Sequence, residues 1–448
     1  MKKITLYIFG FILLLPVFFF WWSNSGATLL NGGFGGSTIA LARLCGLLAV
    51  YCILMQFMLM GRTAWIESLF GLDKLARIHR LNGFLALVFI VLHPILITIG
   101  YASLTGRDLL GQFLLLLTTF EDVLYAFIAV LIFITIVAFS IYIVRKRLKY
   151  ETWYYVHVFT YLAVLLAWGH QLKIGEDFLA STLFTYYWYA LYAFVFGNVL
   201  IFRFLVPMYM FWKHRFRVEK VVRENADTVS IYITGNNLET FHIKGGQFLI
   251  YHFLSKKFWW TPHPFSVSAI TPQYIRLTVK NVGDFTSEIP EVKPGTLVYI
   301  DGPFGIFTEK VVTHDKVLCI AGGIGITPMR SLIEDLTRHN KDIILIYSNK
   351  TKEEMVLGAE FEALKKDHTL TVHYVYSQQQ YDDALYGRVD KELITKLVPD
   401  LKDRDIFLCG PPVMIVNLRE GLLELGVKRE NIHFELFSLH VAKLNKKP

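Results

Sequence analysis

Four histidines stand in apolar stretches of this 448-residue sequence, His79 and His93 in one stretch and His157 and His170 in another. Their separations are 14 and 13 residues, about 21 Å and 20 Å along a helix that rises 1.5 Å per residue. An imidazole inside a membrane span is uncommon and turns toward an interior site. One such histidine is as readily a polar contact between helices. Two pairs at matched depths suit two stacked haems, each held by one histidine from each helix. Two imidazoles fill both axial positions of an iron, which favours passing electrons. At 100° per residue, 14 residues fall about 40° short of four turns, so His79 and His93 share a face. Thirteen fall about 140° short, so His157 and His170 share no face of an ideal helix. A π-bulge or differently rotated haem planes would absorb the mismatch.

The elements that must position these histidines are membrane spans. The sequence is 54% hydrophobic and only 18% charged, against roughly 25% charged for an ordinary soluble chain, and its mean hydropathy is +0.43. The excess lies in residues 4–212. A span needs about 20 mainly apolar residues, and six segments qualify: 4–22, 38–60, 81–104, 123–144, 153–172 and 181–206. The first could be read as a signal peptide, with Lys2 and Lys3 before it and Ser25, Gly26 and Ala27 after it. Its apolar run exceeds the usual core of about 7–15 residues, which favours an anchor. Much of the net charge of +8 flanks the spans. Arg62, Lys74, Arg77 and Arg80 follow the second, Arg145, Lys146, Arg147 and Lys149 the fourth, and Lys213, Arg215, Arg217 and Lys220 the sixth. Lysine and arginine mark the cytoplasmic side. These loops and the polar half are therefore expected in the cytoplasm, with the chain multi-pass in the cell (inner) membrane and in contact with its lipid. The charge reads as a topology signal, with no nucleic-acid partner. The four cysteines show neither a disulfide framework nor zinc spacing.

The second half reads as two modules. Residues 217–312 alternate in short strands such as Val229–Ile233 and Ile275–Val279, separated by Gly/Asn turns, the pattern of a small antiparallel barrel. From 316 the pattern alternates: strand 316–321, helix 327–339, strand 343–347, helix 353–366, strand 371–376, helix 390–397, strand 406–408 and helix 411–425. That predicts a parallel sheet with nucleotide at its carboxyl edge. Gly322, Gly323, Ile324, Gly325, Ile326, Thr327 and Pro328 close the first strand and open the first helix. Glycines let backbone approach a pyrophosphate, and a helix N-terminus favours its charge. The run is not a full G-x-G-x-x-G, and a tight strand–helix turn alone would also use it. Ser348, Lys350 and Lys352 follow the second strand, where cationic and hydroxyl groups suit the 2′-phosphate of NADPH, with NADH also accepted.

The histidine spacing on the third and fifth of six spans resembles the NADPH oxidase and ferric reductase superfamily, and in particular its prokaryotic NADPH oxidases. The soluble motifs carry the resemblance further. His263, Pro264, Phe265, Ser266, Val267 and Ser268 resemble the flavin-binding motif of the ferredoxin-reductase family, and Gly283, Asp284, Phe285 and Thr286 its flavin-pyrophosphate turn. Asp301–Gly305 is similar to its domain-junction loop, and Cys409, Gly410, Pro411 and Pro412 to the segment that places a cysteine near the nicotinamide. Together the likeness spans residues 38–437.

The resemblance implies a six-helix transmembrane bundle (1–212), an antiparallel β-barrel FAD domain (213–312) and an α/β parallel-sheet NAD(P)-binding domain (313–448). It implies haem b at both histidine levels. Arg43 would pair a haem propionate or favour an anionic product, and Phe437 would cover the flavin until nicotinamide displaces it. One departure is Ile97, where some NADPH oxidases have a histidine linked with oxygen. The expected activity moves electrons from NADPH through FAD and two b-type haems to an outer acceptor. Dioxygen is the first expectation, then a ferric chelate, then an outer protein partner. The outer loops are short and nearly uncharged apart from Arg107, Asp108, Lys173, Glu176 and Asp177, which suits a small neutral acceptor. No regulatory domain, calcium loop or Pro-rich motif is visible, so no regulatory subunit is implied.

Overall fold

Helices that are apolar on every face belong in lipid, where backbone polar groups must be satisfied within the segment. The first half of the chain folds into such helices. The computed structural model describes residues 3–141, 150–258, 262–367 and 369–435. The chain divides into two units, Met1–Phe204 and Leu205–Pro448. The first contains α1 (Lys3–Trp21), α2 (Gly33–Met60), α3 (Leu72–Thr105), α4 (Leu109–Thr119), α5 (Glu121–Ser140), α6 (Tyr150–Ile174) and α7 (Thr182–Val199).

Among the described residues, five helical segments are long and apolar enough to cross a membrane: Ile4–Leu30, Gly33–Met60, Leu72–Thr105, Asp122–Ser140 and Thr182–His214. The fifth expected span, 153–172, is α6. Its 25 residues are long enough for a core about 30 Å thick. Trp153, Tyr154, Tyr155, His157, Tyr161, Trp168 and His170 dilute its apolar content. Thus the side chains that make α6 chemically interesting are those that lower its hydropathy. Helix α4, with 11 residues, is apolar but too short to span and was not expected. The end of the fourth expected span and the basic residues Arg145, Lys146, Arg147 and Lys149 lie outside the described residues.

On α3, Leu81, Leu85, Val88, Leu92 and Ile95 are exposed. At 100° per residue they occupy the face opposite His79 and His93, as lipid-facing residues should. Helix α2 packs along α3, and α5 along α6. Small residues permit the first contact: a β-carbon on Gly100 would lie 2.5 Å from Ile39, and one on Gly35 2.8 Å from Leu104.

The second unit opens with α8 (Val206–His214) and six antiparallel strands: β1 (Arg217–Arg223), β2 (Thr228–Thr234), β3 (Phe248–Phe253), β4 (His263–Ile270), β5 (Ile275–Lys280) and β6 (Val298–Phe304). Their order is β1-β2-β5-β4-β3-β6. Val229, Ile231 and Ile233 of β2 alternate into the core. The edges approach each other through Val218 N–H to Thr296 O and Val298 N–H to Phe216 O, both 2.9 Å, which gives the barrel its closure.

A parallel sheet follows: β7 (Lys316–Gly322), α9 (Ile326–Arg338), β8 (Asp342–Asn349), α10 (Gly358–Asp367), β9 (Leu370–Tyr376), β10 (Leu385–Tyr386), α11 (Lys391–Leu397), β11 (Arg404–Cys409), α12 (Pro412–Glu424) and β12 (Ile432–Glu435). Val317, Cys319 and Ala321 of β7 face one core, and Leu318 and Ile320 the other, as expected of a strand covered on both faces. The order β10-β9-β8-β7-β11-β12 reverses at β7, so the crevice between β7 and β11 is the switch point where such sheets bind ligands. The helix expected over 353–366 begins only at Gly358. Before it, the Tyr347 hydroxyl holds Val356 N at 3.2 Å, and Leu357 takes a left-handed φ of 61°.

Candidate functional site

The rings of His79 and His157 have centroids 6.0 Å apart, and those of His93 and His170 6.2 Å apart. Helices α3 and α6, which carry them, do not pack on each other as α2–α3 and α5–α6 do. The gap is bridged at two levels by facing imidazoles. Nitrogens bound to opposite sides of one metal at about 2.0–2.1 Å, with about 1 Å more to each ring centre, put the centroids roughly 6 Å apart. The residues present therefore fit bis-histidine haem. Among the described residues no group of three or more His, Cys, Asp or Glu is placed to hold a metal ion. A haem needs only two axial side chains, because the porphyrin supplies the other donors.

Neighbouring groups orient the rings. His93 Nδ1 lies 2.7 Å from Ala42 O, and His170 Nδ1 2.8 Å from Ala167 O. A ring that donates Nδ1–H to a carbonyl keeps its basic lone pair on Nε2. His157 stacks on Trp153 at 5.2 Å, and its Nδ1 is buried without a hydrogen-bond partner. Of the two alternatives for this spacing, the π-bulge is not found among the described residues of α6, which is α-helix from Tyr150 to Ile174. On α6, His170 lies back against Ala167 and His157 against Trp153. Gln171, beside His170, accepts from Trp188 Nε1 at 3.2 Å and Tyr192 Oη at 3.1 Å, which ties α6 to α7.

Arg43 follows Ala42, and its guanidinium pairs with the Glu176 carboxylate. Lys173 pairs with Asp122 at 3.0 Å, and Asp122 lies against Gly169, next to His170. Each of these two cations thus has a carboxylate partner.

In the second unit, β4 presents the flavin-like motif. His263 stacks on Phe285 at 3.4 Å, with Phe265 6.1 Å from the same ring. Burial, then His252, holds the His263 imidazole down to about 4, so it is neutral at pH 7, and its buried Nε2 makes no hydrogen bond. Pro264 is exposed. This aromatic shelf with one unsatisfied polar atom fits a flavin ring. Ser266, Val267 and Ser268 are buried and serve the scaffold: Ser268 Oγ meets Arg276 Nε at 3.0 Å, and Val267 O accepts from Ser331 Oγ at 2.6 Å. Thr286 Oγ1 accepts from Val282 N at 2.8 Å and Gly283 N at 2.9 Å, and a β-carbon on Gly283 would meet open space.

The turns after β7 and β11 meet at the switch point. A β-carbon on Gly325 would overlap the Cys409 carbonyl, one on Gly410 would come within 3.0 Å of Gly322, and one on Gly322 would meet Pro411 at 2.8 Å. Gly323 takes a positive φ with open space above it. Thr327 Oγ1 bonds Ile324 O at 2.9 Å, and Pro328 is buried at the start of α9. Close backbone approach beside a helix N-terminus is an arrangement that can take a pyrophosphate. Cys409 is fully buried; burial and then Glu435 push its thiol well up, so it is a packing surface and no thiolate nucleophile. Phe437 lies outside the described residues.

Comparison with known proteins matches each part in turn. Residues 45–168 match the ferric reductase like transmembrane component, 213–308 an FAD-binding domain and 319–420 an oxidoreductase NAD-binding domain. The chain has the architecture of the NADPH oxidase and ferric reductase superfamily. Within it, the apolar helices make this a membrane protein, with domains that support NAD(P)H-driven electron transfer. The chain is 26% identical over 242 residues to an NADPH oxidoreductase of Mycobacterium tuberculosis, a match covering 52% of this chain and 62% of that one. It is 36% identical over 141 residues to NADH-cytochrome b5 reductase 2 of Mycosarcoma maydis, covering 30% and 40%. The matches thus span less than two thirds of the length of these relatives. The flavohem-like FAD/NAD-binding domain of Vibrio cholerae nitric oxide dioxygenase aligns at 23% identity and a TM-score of 0.43, covering 50% of this chain and 99% of that one.

Three features of the structure are not visible in the sequence. Glu435 on β12 is in register with Cys409, and its carboxylate approaches Gly305 within 3.8 Å of where a β-carbon would stand. No motif flags it, because only strand register brings it there. Asn349, at the end of β8 beside Ser348, is buried near the Tyr347 hydroxyl. Lys350 has Glu354 at 3.9 Å, and Lys352 has Asp383 at 2.8 Å. The cations expected to read a 2′-phosphate therefore face carboxylates first.

Proposed function

We propose that this protein moves electrons from cytoplasmic NADPH, with NADH also accepted, through FAD and two b-type haems to dioxygen on the far side of the cell membrane, giving superoxide. The observation that carries this reading is the two facing histidine pairs, with ring centroids 6.0 Å and 6.2 Å apart, on helices α3 and α6. When bound, FAD would convert a hydride into single electrons and the haems would relay them. His79 and His157 would hold one haem and His93 and His170 the other. Phe265 and His263 would support the flavin ring, and the turns at Gly322–Gly325 and Cys409–Pro411 would hold the nucleotide. Lipid and a small acceptor are the partners this needs; no regulatory subunit or nucleic acid enters. The second reading is ferric-chelate reduction, favoured by the match of residues 45–168 to a ferric reductase like component.

The test uses the purified, FAD-supplemented protein. NADPH consumption is followed in air with superoxide-sensitive cytochrome c, then under argon with a ferric chelate. Fast turnover in air with superoxide formed supports the oxidase reading. Slow turnover in air with fast ferric reduction under argon replaces it with the reductase reading. A dithionite-reduced spectrum without a b-type α-band would sink both.

A further inference from the structure

A partly buried ionic chain joins the two lobes of the second unit. Arg276 on β5 is only 4% exposed, and its guanidinium holds Glu360 of α10 through two hydrogen bonds, at 2.5 Å and 3.0 Å. The same carboxylate accepts from Arg330 Nε on α9 at 2.7 Å, and Arg330 reaches Glu334 at 2.5 Å. At the other end, Arg276 Nε meets Ser268 Oγ at 3.0 Å. Ser268 is on β4, three residues after Phe265, and Arg330 is on the helix that opens at the glycine-rich turn. Beside the chain, Ser331 Oγ donates to Val267 O at 2.6 Å and accepts from Gly246 N at 3.0 Å, and Gly245 N donates to Asp335 at 2.6 Å.

Charges taken out of water cost several kcal/mol each unless well paired, and breaking such a group strands a partner. Burial alone would raise the Glu360 carboxyl, yet Arg276 and Arg330 hold it below the ordinary range. A tie of this kind does little for net stability relative to an apolar contact, but it is directional. It fixes strand β4 against helix α9 at one angle.

We propose that Glu360 is a positioning residue for hydride transfer: by holding Arg276 and Arg330 together it sets the flavin shelf and the nicotinamide turn at their reacting distance. The inference rests on the reading of β4 as the flavin strand and of Gly322–Gly325 as the nucleotide turn. Misplacing reacting atoms by about 1 Å costs on the order of 100-fold in rate, with little effect on contacts made by either lobe alone.

The test compares the full-length protein with its Glu360→Gln and Arg330→Gln variants. The second keeps the Arg276–Glu360 pair and guards against a variant that fails to fold. NADPH-dependent reduction of a soluble dye is expected to fall about 10- to 100-fold in kcat, with KM for NADPH and FAD affinity within about threefold of the parent, and Glu360→Asp is expected to recover part of it. Hydrogen exchange of the apoprotein gives a second readout: the Gly245 and Gly246 amides are expected to exchange faster in both variants. An unchanged kcat overturns the proposal. So does a parallel loss of FAD affinity, KM and kcat, which would make the chain a general scaffold. Parent protein that reduces no dye with NADPH would instead overturn the flavin and nucleotide reading underneath it.

Discussion

His93 Nδ1 lies 2.7 Å from the carbonyl oxygen of Ala42. This contact ties a ring on α3 to the backbone of α2, and it exists because residue 46 has no side chain: a β-carbon on Gly46 would lie 2.9 Å from the same nitrogen.

Gly46→Ala is therefore expected to reproduce much of the effect of His93→Ala. Groups that orient a metal-bound histidine contribute about 10- to 100-fold. Both variants should lower reduction of the far-side acceptor by at least about tenfold and spare NADPH-dependent dye reduction. Full far-side activity in His93→Ala would refute the ligand assignment.

The Arg43–Glu176 pair suggests control over acceptor charge. With Glu176 in place, Arg43 offers an incoming anion little net attraction. Glu176→Gln is expected to speed reduction of an anionic ferric chelate about threefold to tenfold over a neutral one at low salt, with the gain shrinking as salt screens it. An equal change for both chelates would mean that the pair only fastens α2.

His263 ties stability to pH. Its folded value of about 4 lies below the ordinary 6.5, so between those values the unfolded chain binds a proton that the folded chain does not. Stability from this group is full above 6.5, falls as pH drops through the window, and reaches its floor below 4. Melting temperature of the apoprotein against pH should show that decline, and His263→Gln should flatten it. An identical slope in the variant would assign the decline elsewhere.

Nucleotide preference should respond to Asp383. It holds Lys352 at 2.8 Å, so a 2′-phosphate must compete for that ammonium. Asp383→Asn is expected to lower KM for NADPH about threefold to tenfold and leave KM for NADH nearly unchanged. A shift for both nucleotides would show that the loop, and not its charge, responds.

The sequence was legible where chemistry needs a particular residue type or a long period. All six spans were legible as apolar segments; five satisfy length and apolarity among the described residues, while the histidines and aromatics of α6 lower its hydropathy. The Gly322–Pro328 run announced a strand–helix turn, and the alternation after 316 the parallel sheet. What stayed illegible was whatever depends on register and burial. Ser266, Val267 and Ser268 look like the rest of their motif in sequence, yet the fold turns them inward. Glu435 enters only because β12 pairs with β11, and α10 starts late because the Tyr347 hydroxyl captures Val356.

The bond from Ser331 to the Val267 carbonyl bears on how such proteins can be rebuilt. One face of β4 serves the first lobe while its backbone is the seat of the second. A chimera that replaces residues 313–435 alone would inherit a helix with no matching seat, and one that replaces residues 217–304 alone would strand Glu360. The exchangeable cassette is the pair, and any graft must carry Val267, Arg276, Ser331 and Glu360 together.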